Sequence, residues 1–164
     1  MKASIVLIAL MIFGITNVKA GVFLQQFDKS SYYKILKSGS IEEINNEISL
    51  VDASSLKNKD AFIGALMMKK AGVLKVPKEK LSNFKKGATK LETILRSDTS
   101  NVEYRFLRLI IQEHAPKVVK YNKNISEDAA FIRRNYKQLS PDVQKILIDY
   151  SQTSKVLKPQ DFQS

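Results

Sequence analysis

The order of apolar and polar residues along the chain predicts a protein built from helices. Apolar residues recur at intervals of three and four through most of the sequence, and no segment alternates apolar and polar residues between hairpin turns. Intervals of three and four place apolar side chains on one face of a helix, and that face must be covered by neighbouring helices. We therefore expect an all-α fold of six or seven helices in antiparallel hairpins, such as a helical bundle.

Capping residues and prolines mark where several of these helices begin. Ser40 with Glu43, and Ser100 with Glu103, have the spacing of a capping box, in which two side chains satisfy free backbone amides at a helix start. Pro77 predicts the start of a fourth helix, because proline is tolerated in the first turn. The other predicted boundaries are a third helix over residues 56–71 ending before Gly72, a fifth ending near Pro116, a sixth capped by Ser126, and a seventh opened by Ser140 and Pro141.

The fourth predicted helix has one narrow apolar seam. Its members are spaced by three or four residues, which keeps them on one side of the helix. We expect this seam to face the core, with Phe84 and Leu91 buried and lysines around the rest of the helix. The seam consists of Leu81, Phe84, Ala88, Leu91 and Leu95.

The first twenty residues have the pattern of a secretory signal peptide. Lys2 precedes an apolar run from Ala3 to Ile15, and small residues follow at Val18 and Ala20. We expect export to the periplasm or the cell exterior, with cleavage after Ala20. An uncleaved anchor is the alternative, but the run is shorter than the roughly 20 residues that span a bilayer. The predicted domains are therefore a signal peptide over residues 1–20, a single helical domain over residues 21–153 and a C-terminal tail over residues 154–164.

Composition restricts the chemistry that the protein can perform. The chain has no cysteine and one histidine, which excludes disulfides, a cysteine nucleophile and a zinc site with several histidines. The sequence also lacks a nucleophile-elbow motif, a phosphate-binding glycine loop and a dinucleotide fingerprint. We expect no enzymatic activity, no cofactor and no metal ion.

The positive charge of the chain is concentrated in one stretch. The formal net charge is +11, and residues 69–90 contain eight lysines against Glu79 alone. Export favours anionic lipid, cell-wall polymer or an acidic protein surface as the partner of such a patch and disfavours nucleic acid. The alternative is a solvated face without a partner. The predicted anionic-surface patch consists of Lys69, Lys70, Lys75, Lys78, Lys80, Lys85, Lys86 and Lys90.

The stretch NVEYRFLRLIIQEHAP, residues 101–116, supplies the candidate binding residues. Its apolar residues cover more than half of the helix circumference, so we expect a central helix. Arg105, Arg108 and Gln112 share the remaining face, where two arginines can hold a carboxylate or phosphate. The alternative is internal pairing with acids on neighbouring helices. Glu113 and His114 lie in the last turn, where we expect their side chains to reach solvent.

Two helices resemble a tetratricopeptide unit. The resemblance lies in Phe62-Ile63-Gly64-Ala65, Phe84-Lys85-Lys86-Gly87-Ala88 and Asp98-Thr99-Ser100-Asn101. The sequence departs from that family, since the stretch between Gly64 and Asp98 is too long for a 34-residue period and Thr99 replaces the usual proline. The chain as a whole also resembles exported, all-helical bacterial proteins of unassigned function. These resemblances imply tetratricopeptide-like helical hairpins, with an irregular helical bundle as the alternative.

Three functions remain open on the sequence alone. The first is a non-enzymatic interaction module that binds a protein partner outside the cytoplasm, in a groove between helical hairpins. The second is adsorption to an anionic membrane or cell-wall polymer through the lysines of residues 69–90. The third is an enzyme that uses Glu113 and His114 beside the arginines.

Overall fold

Helices account for all of the regular structure within residues 26–163, the part of the chain that our computed structural model describes. The predicted signal peptide lies outside these residues. The all-α prediction is confirmed. The α-helices are α1 (Lys29–Ser38), α2 (Ile41–Ala53), α3 (Asp60–Val73), α4 (Pro77–Ser97), α5 (Val102–His114), α6 (Ile125–Asn135) and α7 (Pro141–Ser151), and short 3₁₀ helices cover Lys117–Val119, Tyr136–Gln138 and Pro159–Phe162.

Local capping signals place three of the helix starts. The capping box of Ser40 and Glu43 is present at the start of α2, and α4 and α7 begin at Pro77 and Pro141. The prediction for α5 is wrong in its cap, which is Asn101 rather than Ser100. The Asn101 side-chain oxygen accepts hydrogen bonds from the first-turn backbone amides of Glu103 and Tyr104, at 3.0 and 3.1 Å.

The predicted bounds of the third and sixth helices also need correction. Helix α3 begins at Asp60 rather than at residue 56, because Asn58 takes a left-handed backbone conformation with φ 55° that no helix can include. It continues through Gly72 to Val73. Helix α6 follows Asn124 and already contains Ser126. The errors concern the first residues of both helices and the last residue of α3, and the helices themselves are correct.

Helices α3 and α4 pack in direct backbone contact. A Cβ atom added to Gly64 would lie 2.6 Å from the carbonyl oxygen of Gly87, and one added to Gly87 would lie 2.5 Å from that of Gly64. Three residues beyond Gly87, Lys90 forms an ion pair with Asp60 at 2.7 Å. Residue numbers thus rise along α4 as they fall along α3, and the two helices are antiparallel.

The predicted seam of α4 is confirmed at its centre and wrong at Leu81. Phe84 and Leu91 are buried, whereas Leu81 is 50% exposed. At 100° per residue, Leu81 lies about 80° around the helix from Leu91, so it points to the side of the interface with α3. Half of the Leu81 side chain is therefore open to solvent near the start of α4.

Helix α5 is the central element of the described fold. Ten of its thirteen residues are buried, and it packs against α3, α4 and α6. Phe106 stacks on Tyr33 of α1 with ring centroids 5.6 Å apart, and it meets Tyr150 of α7 edge-on at 5.5 Å. Among the described helices, none has both the length and the apolar character needed to cross a bilayer.

The segment predicted as a C-terminal tail packs against the helical domain. Leu157 is fully buried and Phe162 is nearly so. The Tyr136 hydroxyl donates a hydrogen bond to the Phe162 carbonyl oxygen at 3.1 Å, and Arg133 forms an ion pair with Asp161 at 2.9 Å. Residues 154–162 thus contribute to the core instead of standing apart from it.

Candidate functional site

The predicted arginine face lies inside the fold, around the carboxylate of Asp128 on α6. Arg108 donates two hydrogen bonds of 2.7 Å to the two oxygens of this fully buried carboxylate. Arg105 and Gln112 donate one bond each, at 3.1 and 3.0 Å. Four donors from one face of α5 therefore converge on one acidic group, which we call the Asp128 cluster together with its donors.

A second layer of contacts joins this cluster to α4 and to the protein surface. Arg108 also pairs with Glu92 at 3.1 Å, and the same glutamate accepts a 2.5 Å hydrogen bond from the Tyr121 hydroxyl. Arg105 pairs with exposed Glu127 at 2.9 Å, and its guanidinium lies 4.3 Å from the ring centroid of Phe131. The arginines thus have partners on two neighbouring helices.

Protonation in the cluster is fixed by these partners. Burial lowers the pKa of Arg108, but hydrogen bonds and charge attraction from Asp128 and Glu92 outweigh it and raise that pKa overall. Burial, followed by the hydrogen bond to Glu92, raises the pKa of Tyr121. Arg108 therefore stays charged and Tyr121 stays a neutral donor.

Arg105, Arg108 and Gln112 thus follow the alternative that we gave for them, which is pairing with acids on neighbouring helices. Their hydrogen bonds go to protein carboxylates, so the cluster joins α4, α5 and α6 rather than presenting a fork to a ligand. Removing one partner would leave an uncompensated buried charge, which costs about 3–5 kcal/mol. Asp128 is absent from the sequence predictions, although it precedes Ile132 by four residues and so shares the apolar face of α6. An acidic residue on the apolar face of a helix is the sequence signal that could have identified Asp128 as a buried partner.

Glu113 also binds within the fold, contrary to the expectation that it reaches solvent. Its carboxylate accepts hydrogen bonds from the hydroxyls of Tyr150 and Ser154 at 2.6 and 2.7 Å, and from the backbone amide of Lys155 at 2.6 Å. Burial, then the contact with Glu113, raises the pKa of Tyr150, which keeps the phenol protonated. We call this set of bonds the Glu113 clasp, since it joins α5 to α7 and to the C-terminal segment.

His114 is exposed, as expected, and its ring bonds to its own helix. Its Nδ1 lies 2.8 Å from the carbonyl oxygen of Ile110. A cleft of about 190 Å³ near the end of α5 contains Gln112 and Glu113 in its lining, together with Tyr121 and Lys155. The polar groups of Gln112 and Glu113 already have protein partners there.

Three members of the predicted lysine patch are engaged in the fold. Lys69 donates to a backbone carbonyl at the end of α1, and Lys70 donates to the Asn45 side chain, each at 2.7 Å. Burial lowers the pKa of Lys69. Lys90 forms the ion pair with Asp60. These contacts tie α3 to α1, to α2 and to α4. Only the charge of Lys90 is balanced by an acid, since the acceptors of Lys69 and Lys70 are neutral.

The other five lysines are exposed and surround an apolar surface. They lie in or beside residues 72–81, which we call the hairpin tip because they include the turn between α3 and α4. Three of the five large apolar residues that are most exposed in the described structure belong to this tip. The exposed lysines are Lys75, Lys78, Lys80, Lys85 and Lys86, and the exposed apolar residues are Val73, Val76 and Leu81.

The geometry of α4 separates these lysines into two groups. At 100° per residue, Lys78 and Lys85 lie within about 60° of Leu81, on the same side of the helix. Lys86 lies about 140° from Leu81 on the same geometry, on the other side. Lys78 and Lys85 can therefore contact a flat surface together with Leu81, and Lys86 cannot.

In the part of the chain that the structure describes, no group of three or more His, Cys, Asp or Glu side chains is arranged to hold a metal ion. Comparison with protein-family models, curated proteins and solved structures yields no match. The candidate functional surface is therefore defined by its own residues: an exposed apolar hairpin tip flanked by lysines.

Proposed function

We propose that the protein is an exported, non-enzymatic binding module that attaches to anionic membranes through the hairpin tip. The observation that carries this proposal is the side-by-side exposure of Leu81 with Lys78 and Lys85. Apolar side chains can enter the boundary between headgroups and acyl chains, while lysines beside them bind anionic headgroups. Each lysine near such a surface contributes about 1 kcal/mol.

Binding of a protein partner in a groove between helical hairpins is the second candidate. The exposed charge and apolar residues of the tip suit an acidic protein surface as well as a lipid one. The groove hypothesis relied on Arg105, Arg108 and Gln112, however, and these side chains bond to Asp128. The membrane proposal uses side chains that are free to contact a partner.

Co-sedimentation with lipid vesicles tests the proposal. Phosphatidylcholine vesicles with and without phosphatidylglycerol should be compared at 0.1 M and 1 M salt, where the screening length is about 10 Å and 3 Å. We expect binding only with the anionic lipid and only at low salt. The Lys78→Gln/Lys85→Gln variant should bind about 10- to 30-fold more weakly, because it loses two lysine contacts.

Lys86→Gln, on the far side of α4, and Lys137→Gln/Lys145→Gln, at exposed positions elsewhere, are matched controls. Both should bind nearly as well as the wild type. Failure of the wild type to sediment with anionic vesicles at low salt would refute the membrane proposal. Sedimentation with isolated cell-wall material alone would favour the polymer, and equal weakening by every lysine variant would indicate charge attraction without a defined face.

Export is a separate part of the proposal and needs its own test. The residues Val18-Lys19-Ala20 predict a mature protein that begins at Gly21. Mass spectrometry of the protein recovered outside the cytoplasm should find this N-terminus. Recovery of the intact chain from Met1 in a membrane fraction would instead indicate an uncleaved anchor.

A further inference from the structure

A groove between α1 and α2 contains a buried acid that none of the functions above uses. The groove has a volume of about 260 Å³. Helix α1 lines one side and α2 the other, with Glu47 among the residues of α2. The lining residues that matter for its chemistry are Ser31, Lys34, Ile35, Asn46, Glu47 and Leu50.

Glu47 differs from the other buried acids of the described structure in its lack of hydrogen bonds. It is 1% exposed, and its Oε1 atom is buried without a hydrogen-bond partner. Asp128 accepts four hydrogen bonds and Glu113 accepts three from side chains and backbone amides. A buried carboxylate without partners is costly, and Glu47 lines the groove, so its carboxyl group is a candidate partner for a ligand there.

The surroundings of Glu47 suit a cation of a particular kind. An ammonium group would pair with the carboxylate and donate hydrogen bonds to the Ser31 hydroxyl and the Asn46 amide oxygen. Ile35 and Leu50 provide apolar walls for a short alkyl chain. The groove is smaller than the roughly 300–1,000 Å³ typical of pockets for drug-sized ligands. The described residues also provide no cluster of three potential metal ligands, so the organic cation fits better than a metal ion.

We propose that the α1–α2 groove binds a small organic ammonium ion, with the Glu47 carboxylate as its counter-ion. The protein's own cation at this groove is Lys34, whose side chain is exposed at the rim. Within residues 26–163, Lys34 forms no salt bridge with an acid. Glu43 is the other acid in the lining, and it accepts a 2.7 Å hydrogen bond from the Ser40 backbone amide. Of the two acids in the lining, Glu47 is thus the one without a hydrogen-bond partner.

Titration calorimetry and amide NMR with butylammonium and 1-butanol test the proposal on the wild-type protein. The two probes have the same chain length and differ in charge at neutral pH. We expect butylammonium to bind with a dissociation constant of about 1 mM, an affinity that a ligand of five non-hydrogen atoms can reach. Its binding should shift the amide signals of Asn46 and Leu50. Butanol should bind at least tenfold more weakly.

Three variants locate the counter-ion. Glu47→Gln should weaken butylammonium binding at least tenfold. Glu42→Gln removes the same charge from the same helix outside the groove, so it should change butylammonium binding by less than about twofold. Lys34→Gln should strengthen binding, because it removes a like charge from the rim. Circular dichroism of each variant establishes that the helices are retained.

Several results would overturn the proposal. These are equal binding of butylammonium and butanol, no saturable binding of butylammonium up to about ten times the expected dissociation constant, undiminished binding by folded Glu47→Gln, or weaker binding by Lys34→Gln. The comparison of the two probes needs no variant, so it decides the matter even if Glu47→Gln fails to fold.

Discussion

Gly64 of α3 and Gly87 of α4 lie so close that a methyl group on either would approach the other's carbonyl oxygen to within 2.6 Å. Alanine at position 87 would force the two backbones apart, and overpacking of this kind costs about 1–3 kcal/mol. We expect Gly87→Ala to lower the melting temperature in thermal denaturation followed by circular dichroism.

Gly72 provides the matched control for this prediction. It is a helical glycine of α3 with no atom within 4 Å of an added Cβ. Gly72→Ala should stabilise the protein by about 0.5–1 kcal/mol, the usual gain of alanine over glycine within a helix. A rise in melting temperature for both variants would mean that α3 and α4 are further apart than the structure has them.

The buried carboxylate of Asp128 should be the most sensitive acid in the fold. Asp128→Asn removes the bidentate acidic partner of buried Arg108 and leaves Glu92 as its remaining ion pair, and we expect a loss of about 3–5 kcal/mol in the free energy of unfolding. Urea denaturation measures this loss. Exposed Asp149 on α7 is the control, and Asp149→Asn should change stability by less than about 0.5 kcal/mol. A similar small effect at both positions would contradict the Asp128 cluster.

The C-terminal segment should be required for stability. Truncation after Thr153 removes the buried side chains of Leu157 and Phe162, whose burial contributes about 1.5–3 kcal/mol each, and it also removes two donors of the Glu113 clasp. We expect the truncated protein to melt far below the wild type or to be unfolded. Removal of residues 163–164 alone should have no measurable effect, and unchanged melting of the longer truncation would favour the prediction of a C-terminal tail over residues 154–164.

Glu47 should make stability depend on pH in an unusual direction for an acid. Burial, with a smaller contribution from Asp28, raises its pKa above the ordinary 4.5. The folded state thus binds this proton more tightly than the unfolded state, so its stabilising effect is complete below the unfolded pKa and is lost as pH rises through the folded pKa. The other titratable groups near Glu47 are Lys34 of α1 and Glu43 of α2, which line the same groove, and Tyr32, whose pKa the charge of Glu47 helps to raise.

Replacement of Glu47 by glutamine removes the free-energy cost of ionising this buried carboxyl group. In the absence of any ammonium ligand, Glu47→Gln should melt at a higher temperature than the wild type at pH 7, and the difference should shrink toward zero below about pH 4. Glu42→Gln should give a small loss at pH 7, because it removes a negative charge from the first turn of α2. Melting curves across this pH range decide the sign, and a pH-independent difference would show that Glu47 has an ordinary pKa.

The sequence predicted the parts of this structure that depend on neighbouring residues. The capping box at Ser40 and the prolines at positions 77 and 141 act within one helical turn, so their effects are visible in a short window. The buried positions of Phe84 and Leu91 follow equally from the spacing of apolar residues along α4.

Contacts between distant residues account for the errors. The exposure of Leu81 depends on where neighbouring helices lie, and the position of the C-terminal segment depends on contacts with residues more than 20 positions away. The partner of Arg108 is 20 residues further along the chain. Periodicity shows that Arg105 and Arg108 share a face, but it gives no information about which acid that face meets.

The Glu113 clasp makes the final packing of α5 depend on residues that are synthesised much later than α5 itself. A polypeptide is synthesised, and would be exported, from its N-terminus, so the central helix is made more than 30 residues before the groups that satisfy its last carboxylate. Until Ser154 and Lys155 have emerged, Glu113 lacks two of its three donors and the Leu157 site is unfilled. A nascent chain of this protein therefore lacks its final packing around α5 until residues 154–157 have emerged, and a chain interrupted before them leaves apolar core surface exposed to proteases.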